Sequence, residues 1–172
     1  MINAKIDDKK CVVTLKGIEN NAKNMNRAMR IIALEMEESV RENFEVGGRY
    51  SSPGSLLGGN HKWVKGKYGG SLIKTGNLRD SITSESDSNS AQVGTNIFYA
   101  KIHNFGATVA GQTIIPREKK GLSFIWNGIR RIYAKVTTKT HDIPARPFMV
   151  VQPEDIEGFK ETLLEHLTQG TK

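Results

Sequence analysis

The chain has 172 residues, 37% of them hydrophobic and 7% aromatic, which allows one domain with a modest core and is too little for two comfortable ones. It carries a net charge of +7 and a single cysteine, Cys11, so no internal disulfide can form and nothing points to an oxidising compartment. No apolar run approaches the roughly 18 residues of a membrane span, and the opening MINAKIDDKK lacks the apolar stretch of a secretory signal. These features predict a soluble protein made in a cytoplasm, with no membrane partner.

The charge is unevenly spread. Residues 1–45 balance, with eight basic and eight acidic side chains, and residues 80–87 and 142–172 are each −3. Residues 46–79 carry six basic side chains and no acidic one, and residues 88–141 carry eight against Glu118 alone. This asymmetry bears on partners and steering rather than on fold.

The first 17 residues suggest a β-hairpin, with NAKI and CVVTLKG flanking the polar turn DDKK. The period then changes. Ile18, Ala22, Met25, Met29, Ile32, Met36, Val40 and Phe44 recur at spacings of three and four, which predicts one long helix over 18–45. Its methionines fit a core or subunit contact better than a cofactor box. A basic loop follows over 46–74. Its window VGGRYSSPGSLLGGNHKWVKGKYGGS holds eight glycines and four serines, which predicts mobility over 46–71. The phosphate-loop pattern GxxxxGK[ST] is absent.

Residues 75–150 are expected to form a β-rich core with one short helix. TGN is a compact turn with capping groups, anchored by Leu72, Leu78 and Ile82. SITSES and AQVGTN form a hairpin around DSNS. IFYAKIHNF is long enough for two helical turns, with Gly106 where a helix end favours glycine. QTIIP, LSFIW and RIYAKVTTKT are dense in β-formers. Pro153 then opens a C-terminal helix over 153–168, with Glu154, Asp155 and Glu157 in its first turn and Ile156, Phe159, Leu163 and Leu167 as its stripe.

Catalytic signals are weak. Tyr99, Lys101, His103 and Asn104 form the densest polar group, but no acid or nucleophile accompanies them. The four histidines show no metal-ligand spacing, and no GxSxG elbow is present. No cofactor or metal is expected, and the protein reads as a non-enzyme.

Three motifs stand in order: LIKTGNLRDSI at 72–82, VGTNIFYAKIHNFG at 93–106 and IPARPFM at 143–149, the last followed by a helix. In them the chain resembles the phage virion morphogenesis, or tail completion, proteins of the head–tail junction of tailed bacteriophages. The likeness covers roughly 18–168. The long basic stretch 107–141 and the N-terminal segment depart from the family pattern. The resemblance implies an α+β fold, in which a mainly antiparallel sheet packs on a long N-terminal and a C-terminal helix.

It also implies a structural role in completing the tail or joining it to the head, in the tail or neck of the virion, assembled in the host cytoplasm. The expected partners are copies of the same chain, often in a sixfold ring, and other junction or tail-tube proteins. Gly76, Leu78, Tyr99, His103, Gly106, Arg146 and Phe148 become fold and assembly residues. Gly94 and Gly106 would supply backbone freedom, and Tyr99 and His103 would hydrogen-bond while burying their rings. Arg146 would bind a carboxylate, Asp80 being one candidate, or backbone carbonyls. Arg49, Lys62, Lys65, Lys67, Arg130, Arg131 and Lys135 would face DNA, weakly and without sequence preference, or acidic neighbours. The alternative is a stand-alone nucleic-acid module, in which Trp63, Tyr68, Trp126 and Tyr133 stack on bases between those cations.

Overall fold

A computed structural model describes residues 8–64, 72–117 and 121–170, apart from the Trp126 side chain. The chain begins with two helices, α1 (Lys9–Ala22) and α2 (Asn26–Val46). The predicted hairpin is therefore corrected over 9–17, while NAKI falls in the undescribed residues 1–7. Val12 and Val13 favour strand by propensity, but Thr14, Ile18 and Asn21 share one helical face, and α1 packs on the C-terminal helix. Tertiary contact overrides the local preference.

The single helix over 18–45 is also corrected, since it is interrupted at residues 23–25. The run NNAKNMN supplies the reason, because asparagine amides compete with the helical backbone. Asn21 Nδ2 donates to the carbonyls of Leu167 and Gln169, both at 3.0 Å. His166 Nε2 meets the Asn24 carbonyl at 2.9 Å.

Helix α2 ends at Gly47, whose φ of +78° suits glycine. After the loop come α3 (Asn77–Asp80), β1 (Ile82–Ser86) and β2 (Ala91–Thr95). The two strands pair antiparallel from Ile82 opposite Thr95 to Ser86 opposite Ala91. Asp87 closes the turn by accepting from the amides of Asn89 (2.7 Å) and Ser90 (2.8 Å), bonds that help hold its carboxyl below the usual carboxylate range. This hairpin lies on one flank of α2.

The short α4 (Ala100–Phe105) leads into β3 (Ala107–Val109), β4 (Thr113–Ile114), β5 (Leu122–Trp126), β6 (Ile129–Tyr133), β7 (Val136–Thr137) and β8 (His141–Ile143). They pair as nested antiparallel ladders, β3 with β8, β4 with β7 and β5 with β6. The result is one interrupted ribbon over 107–143. The fold is α+β, but the predicted joint sheet is corrected: the described strands form four separate two-stranded ladders, and the ribbon's main contacts are between its own strands. Helix α5 (Pro153–Thr168) packs on α1 and α2. Asp155 caps it by accepting from the Gln152 amide at 2.7 Å.

The core lies where α2, the β1–β2 hairpin and the segment before α5 meet. Phe44 touches Phe148 at 5.0 Å between ring centroids and meets Trp63 edge-on at 5.7 Å. Trp63 is only 4% exposed and donates through Nε1 to the Pro147 carbonyl at 2.9 Å. Tyr50 is also buried, and its hydroxyl donates to the Lys62 carbonyl at 3.1 Å. The loop is thus tied to the core at Tyr50 and Trp63 despite its glycines; residues 65–71, part of the stretch expected to be mobile, lie outside the described residues.

Trp63→Ala should cost about 3–5 kcal/mol in a urea titration, the range for losing a large buried aromatic. Limited trypsin treatment of the native protein should leave the bonds after Arg49 and Lys62 intact until global unfolding. Early cleavage there would show that the loop is loose.

Candidate assembly site

The three sequence motifs converge on one stretch of backbone, residues 146–152. It is irregular, with a bend at Met149, and partly buried, and among the described residues only an isolated bridge, Leu57 to Val151, lies along it. Side chains therefore supply much of its hydrogen bonding. Asn104 Oδ1, from α4, accepts from the amides of Phe148 (3.0 Å) and Met149 (3.1 Å). Asn43 Nδ2, from α2, donates to the carbonyls of Phe148 (2.8 Å) and Val150 (3.3 Å). The Arg146 amide donates to the His103 carbonyl at 2.8 Å, and Gln152 Nε2 donates to the Arg49 carbonyl at 2.8 Å. Both asparagines are buried.

The first motif enters this core through Leu78 and Ile82, which are buried beside Phe148 in the same cluster. Gly76, at φ +79°, turns the chain into α3. Gly106, at φ +75°, ends α4, and a Cβ there would lie 2.8 Å from the Ile143 carbonyl oxygen and 2.9 Å from the Ala145 amide nitrogen. Both the backbone conformation and the close approach require glycine. Gly94 differs from expectation. It sits in β2 opposite Thr83, with open space where a Cβ would go.

Tyr99 and His103 meet edge to face at 5.7 Å, and they are joined through the backbone, where the His103 amide donates to the Tyr99 carbonyl at 3.2 Å, rather than through their side chains. His103 Nδ1 is buried without a hydrogen-bond partner. Burial, then the nearby Arg146 cation, pushes the imidazole below its usual value. Arg146 Nε donates to the Val64 carbonyl at 3.3 Å. The suggested partner Asp80 is taken instead by Arg79, at 2.7 Å. The polar cluster of the second motif does not converge on a reacting atom: Asn104 binds backbone, Lys101 faces solvent and His103 packs on Tyr99.

The predicted basic surface divides. Arg49, with a side chain 16% exposed, pairs with Glu42 at 2.9 Å and donates to Asn43 Oδ1 (2.9 Å) and the Ser39 carbonyl (2.9 Å). It is an internal strut, which corrects its place among outward-facing cations. Lys62, Arg130, Arg131 and Lys135 are exposed, whereas Lys65 and Lys67 lie outside the described residues. Trp63 is unavailable for stacking on a base, and Tyr133 lies against Phe124 at 6.3 Å; Tyr68 and the Trp126 side chain lie outside the described residues.

The profile of the phage virion morphogenesis family matches residues 6–168, a span that contains all three motifs and the helices that clamp them. The chain belongs to the phage virion morphogenesis family. A family relative, the Mu-like prophage FluMu G protein 2 of Haemophilus influenzae (strain Rd), is 37% identical over 138 residues, covering 80% of this chain and 75% of that protein. No solved structure matches the chain. The motifs of this family member are thus spent mainly on tying backbone segments together. Sequence reasoning passed over Asn43, and it noted Asn104 only as part of a polar group, without its role in holding backbone. Asn43 carried a signal, a polar side chain on the apolar face between Val40 and Phe44.

Asn104→Leu should leave the Phe148 and Met149 amides unpaired and cost about 1–3 kcal/mol for each. Lys101→Ala, exposed on the same helix, should stay within about 0.5 kcal/mol of the parent in the same denaturant titration.

The depressed His103 pKa fixes a pH trend. Below the ordinary value of 6.5 the unfolded chain takes up a proton that the folded chain resists, so stability falls as pH drops through that range. The melting temperature should decrease between about pH 7.5 and about pH 5.5, and His103→Gln should flatten that slope. An unchanged slope in the variant would show that His103 does not resist protonation.

Proposed function

We propose that this protein is a structural component of the phage head–tail junction, completing the tail or joining it to the head as a closed ring of identical subunits, without catalysis. Its partners are copies of itself and the neighbouring junction or tail-tube proteins. The observation that carries this reading is how the family motifs are used. Asn104, Gly106, Arg146 and Phe148 meet around one backbone segment rather than around a cleft. Membership of a virion morphogenesis family and likeness to a prophage protein support the same assignment.

A ring needs a heterologous contact, in which one patch of a subunit meets a different patch of the next. The outward surface of this chain is patchy enough to supply two different faces, since exposed apolar side chains occur on α1, α2 and the ribbon.

Deleting the gene from the phage or prophage that encodes this chain should abolish plaque formation while heads and tails still form separately, as seen by negative-stain imaging of lysates. The wild-type gene and His103→Ala, supplied in trans, should both restore joined virions. Normal virions from the deletion would overturn the junction role, and failure of a folded His103→Ala to restore them would reopen a chemical role for the histidine.

A further inference from the structure

The ribbon 107–143 presents a surface that the rest of the subunit leaves uncovered. A two-stranded ribbon has no third strand behind it, and a soluble one normally faces water with threonines and charges. Here Ile125 is 74% exposed and Ile132 is 70% exposed, and Ile115, Ile129 and Phe124 are also open to solvent. The β5–β6 register interleaves them with cations, setting Ile125 opposite Arg130 and Phe124 opposite Arg131. A groove of about 600 Å³ runs past Phe124, Arg131, Tyr133 and Lys135. None of the ion pairs among the described residues involves Arg117, Arg130, Arg131 or Lys135.

This mixture selects the kind of occupant. Phosphates would match the arginines but would give exposed isoleucines nothing apolar to pack on. The complementary surface is a protein face that is both apolar and acidic. The chain carries such a face itself. Ile31 and Leu34 on α2 are 38% and 55% exposed. Glu35, Glu38 and Glu42 continue the same helical side at spacings of three and four. Glu154 joins Glu35, Glu38 and Glu42 around a groove of about 290 Å³ between α2 and α5. Neither Glu38 nor Glu154 enters an ion pair among the described residues, and Glu35 Oε2 is buried without a hydrogen-bond donor.

We propose that the ribbon of one subunit lies across the α2–α5 face of a second copy of this chain, with Arg130 against Glu38 and Glu154 and with Ile125 and Ile132, which share its face of the ribbon, covering Ile31 and Leu34. This deepens the ring reading and rests on it only for the closure of the chain of contacts. Each subunit gives one ribbon and receives another, so the contact is heterologous and its repetition ends in a ring or a filament.

The test is a charge swap in the full chain, read by native mass spectrometry and analytical ultracentrifugation. The wild type should self-associate. Arg130→Glu, and separately Glu38→Arg with Glu154→Arg, should each weaken association by about tenfold or more. Because these side chains are exposed or half-exposed, melting temperatures should hold. Mixing the two variants restores both complementary pairings, ribbon to face in each direction, and should restore the assembly. Ile125→Ser with Ile132→Ser should weaken it without a rescuing partner. A wild type that stays monomeric at its highest soluble concentration, or charge reversal that leaves assembly intact, overturns the proposal. So does loss without rescue on mixing. Intact assembly with lost duplex-DNA binding in Arg130→Glu would reassign the ribbon to nucleic acid. None of these outcomes touches the junction role, which the deletion phenotype decides.

Discussion

The fold depends on getting one irregular segment, Arg146 to Gln152, into the interior without a sheet to hold it. A buried peptide group left unpaired costs about 1–3 kcal/mol, so a segment that lacks a continuous ladder must find its donors and acceptors elsewhere. Asn43 and Asn104 act as two-sided clamps, one donating to carbonyls and the other accepting from amides. Trp63 Nε1 takes the Pro147 carbonyl. Proline at 147 fits because its position needs no amide donor. Once those bonds form, Phe148 and Val150 are delivered to the core on either side of Met149.

Seen from that segment, several other features acquire causes. The long glycine-rich loop has to return Trp63 to Phe44 and Pro147, and its glycines permit the sharp path. Arg49 ties the start of that loop to α2 through Ser39, Glu42 and Asn43, and so orients the Asn43 amide by occupying its oxygen. Gly106 ends α4 so that the chain passes beside Ile143 and Ala145, which brings the second and third motifs into register. The interior is thus specified by directional bonds as much as by apolar area, which favours one arrangement over many.

The sequence made legible those elements whose signals are local. The C-terminal helix carried Pro153, first-turn acids and an apolar stripe, and the β1–β2 hairpin had alternation around a DSNS turn. What stayed hidden was set by distant contact. Cys11 to Leu15 reads as strand, yet forms the first turns of a helix that packs on α5. The heptad-like stripe from Ile18 to Phe44 gave no sign of the break at 23–25, where asparagines outbid it. Asn43 could be seen as misplaced on an apolar face, but its acceptors lie more than a hundred residues away. The strands of the ribbon could be read singly, whereas their nested pairing, and hence their separation from the other hairpin, follows from topology.

Charge counting had the same limit. Residues 46–79 contribute positive charge in sequence, but Arg49 spends its guanidinium inside the subunit, while Arg130 and Arg131 stand on an exposed strand. Equal counts in a composition thus do opposite work, one fixing the fold and the others standing free on the surface. The same division explains why the second motif resembles a catalytic cluster without the geometry of one. A catalytic group keeps a polar atom uncommitted and reachable by substrate. Asn104 has both amide protons of its backbone targets on one oxygen, Lys101 points to water, and the His103 ring is lodged beside Tyr99 with Nδ1 buried. Of the polar side chains in the motif it is Asn104 that holds backbone, while the exposed apolar and charged side chains of this chain stand on the ribbon and the helical faces.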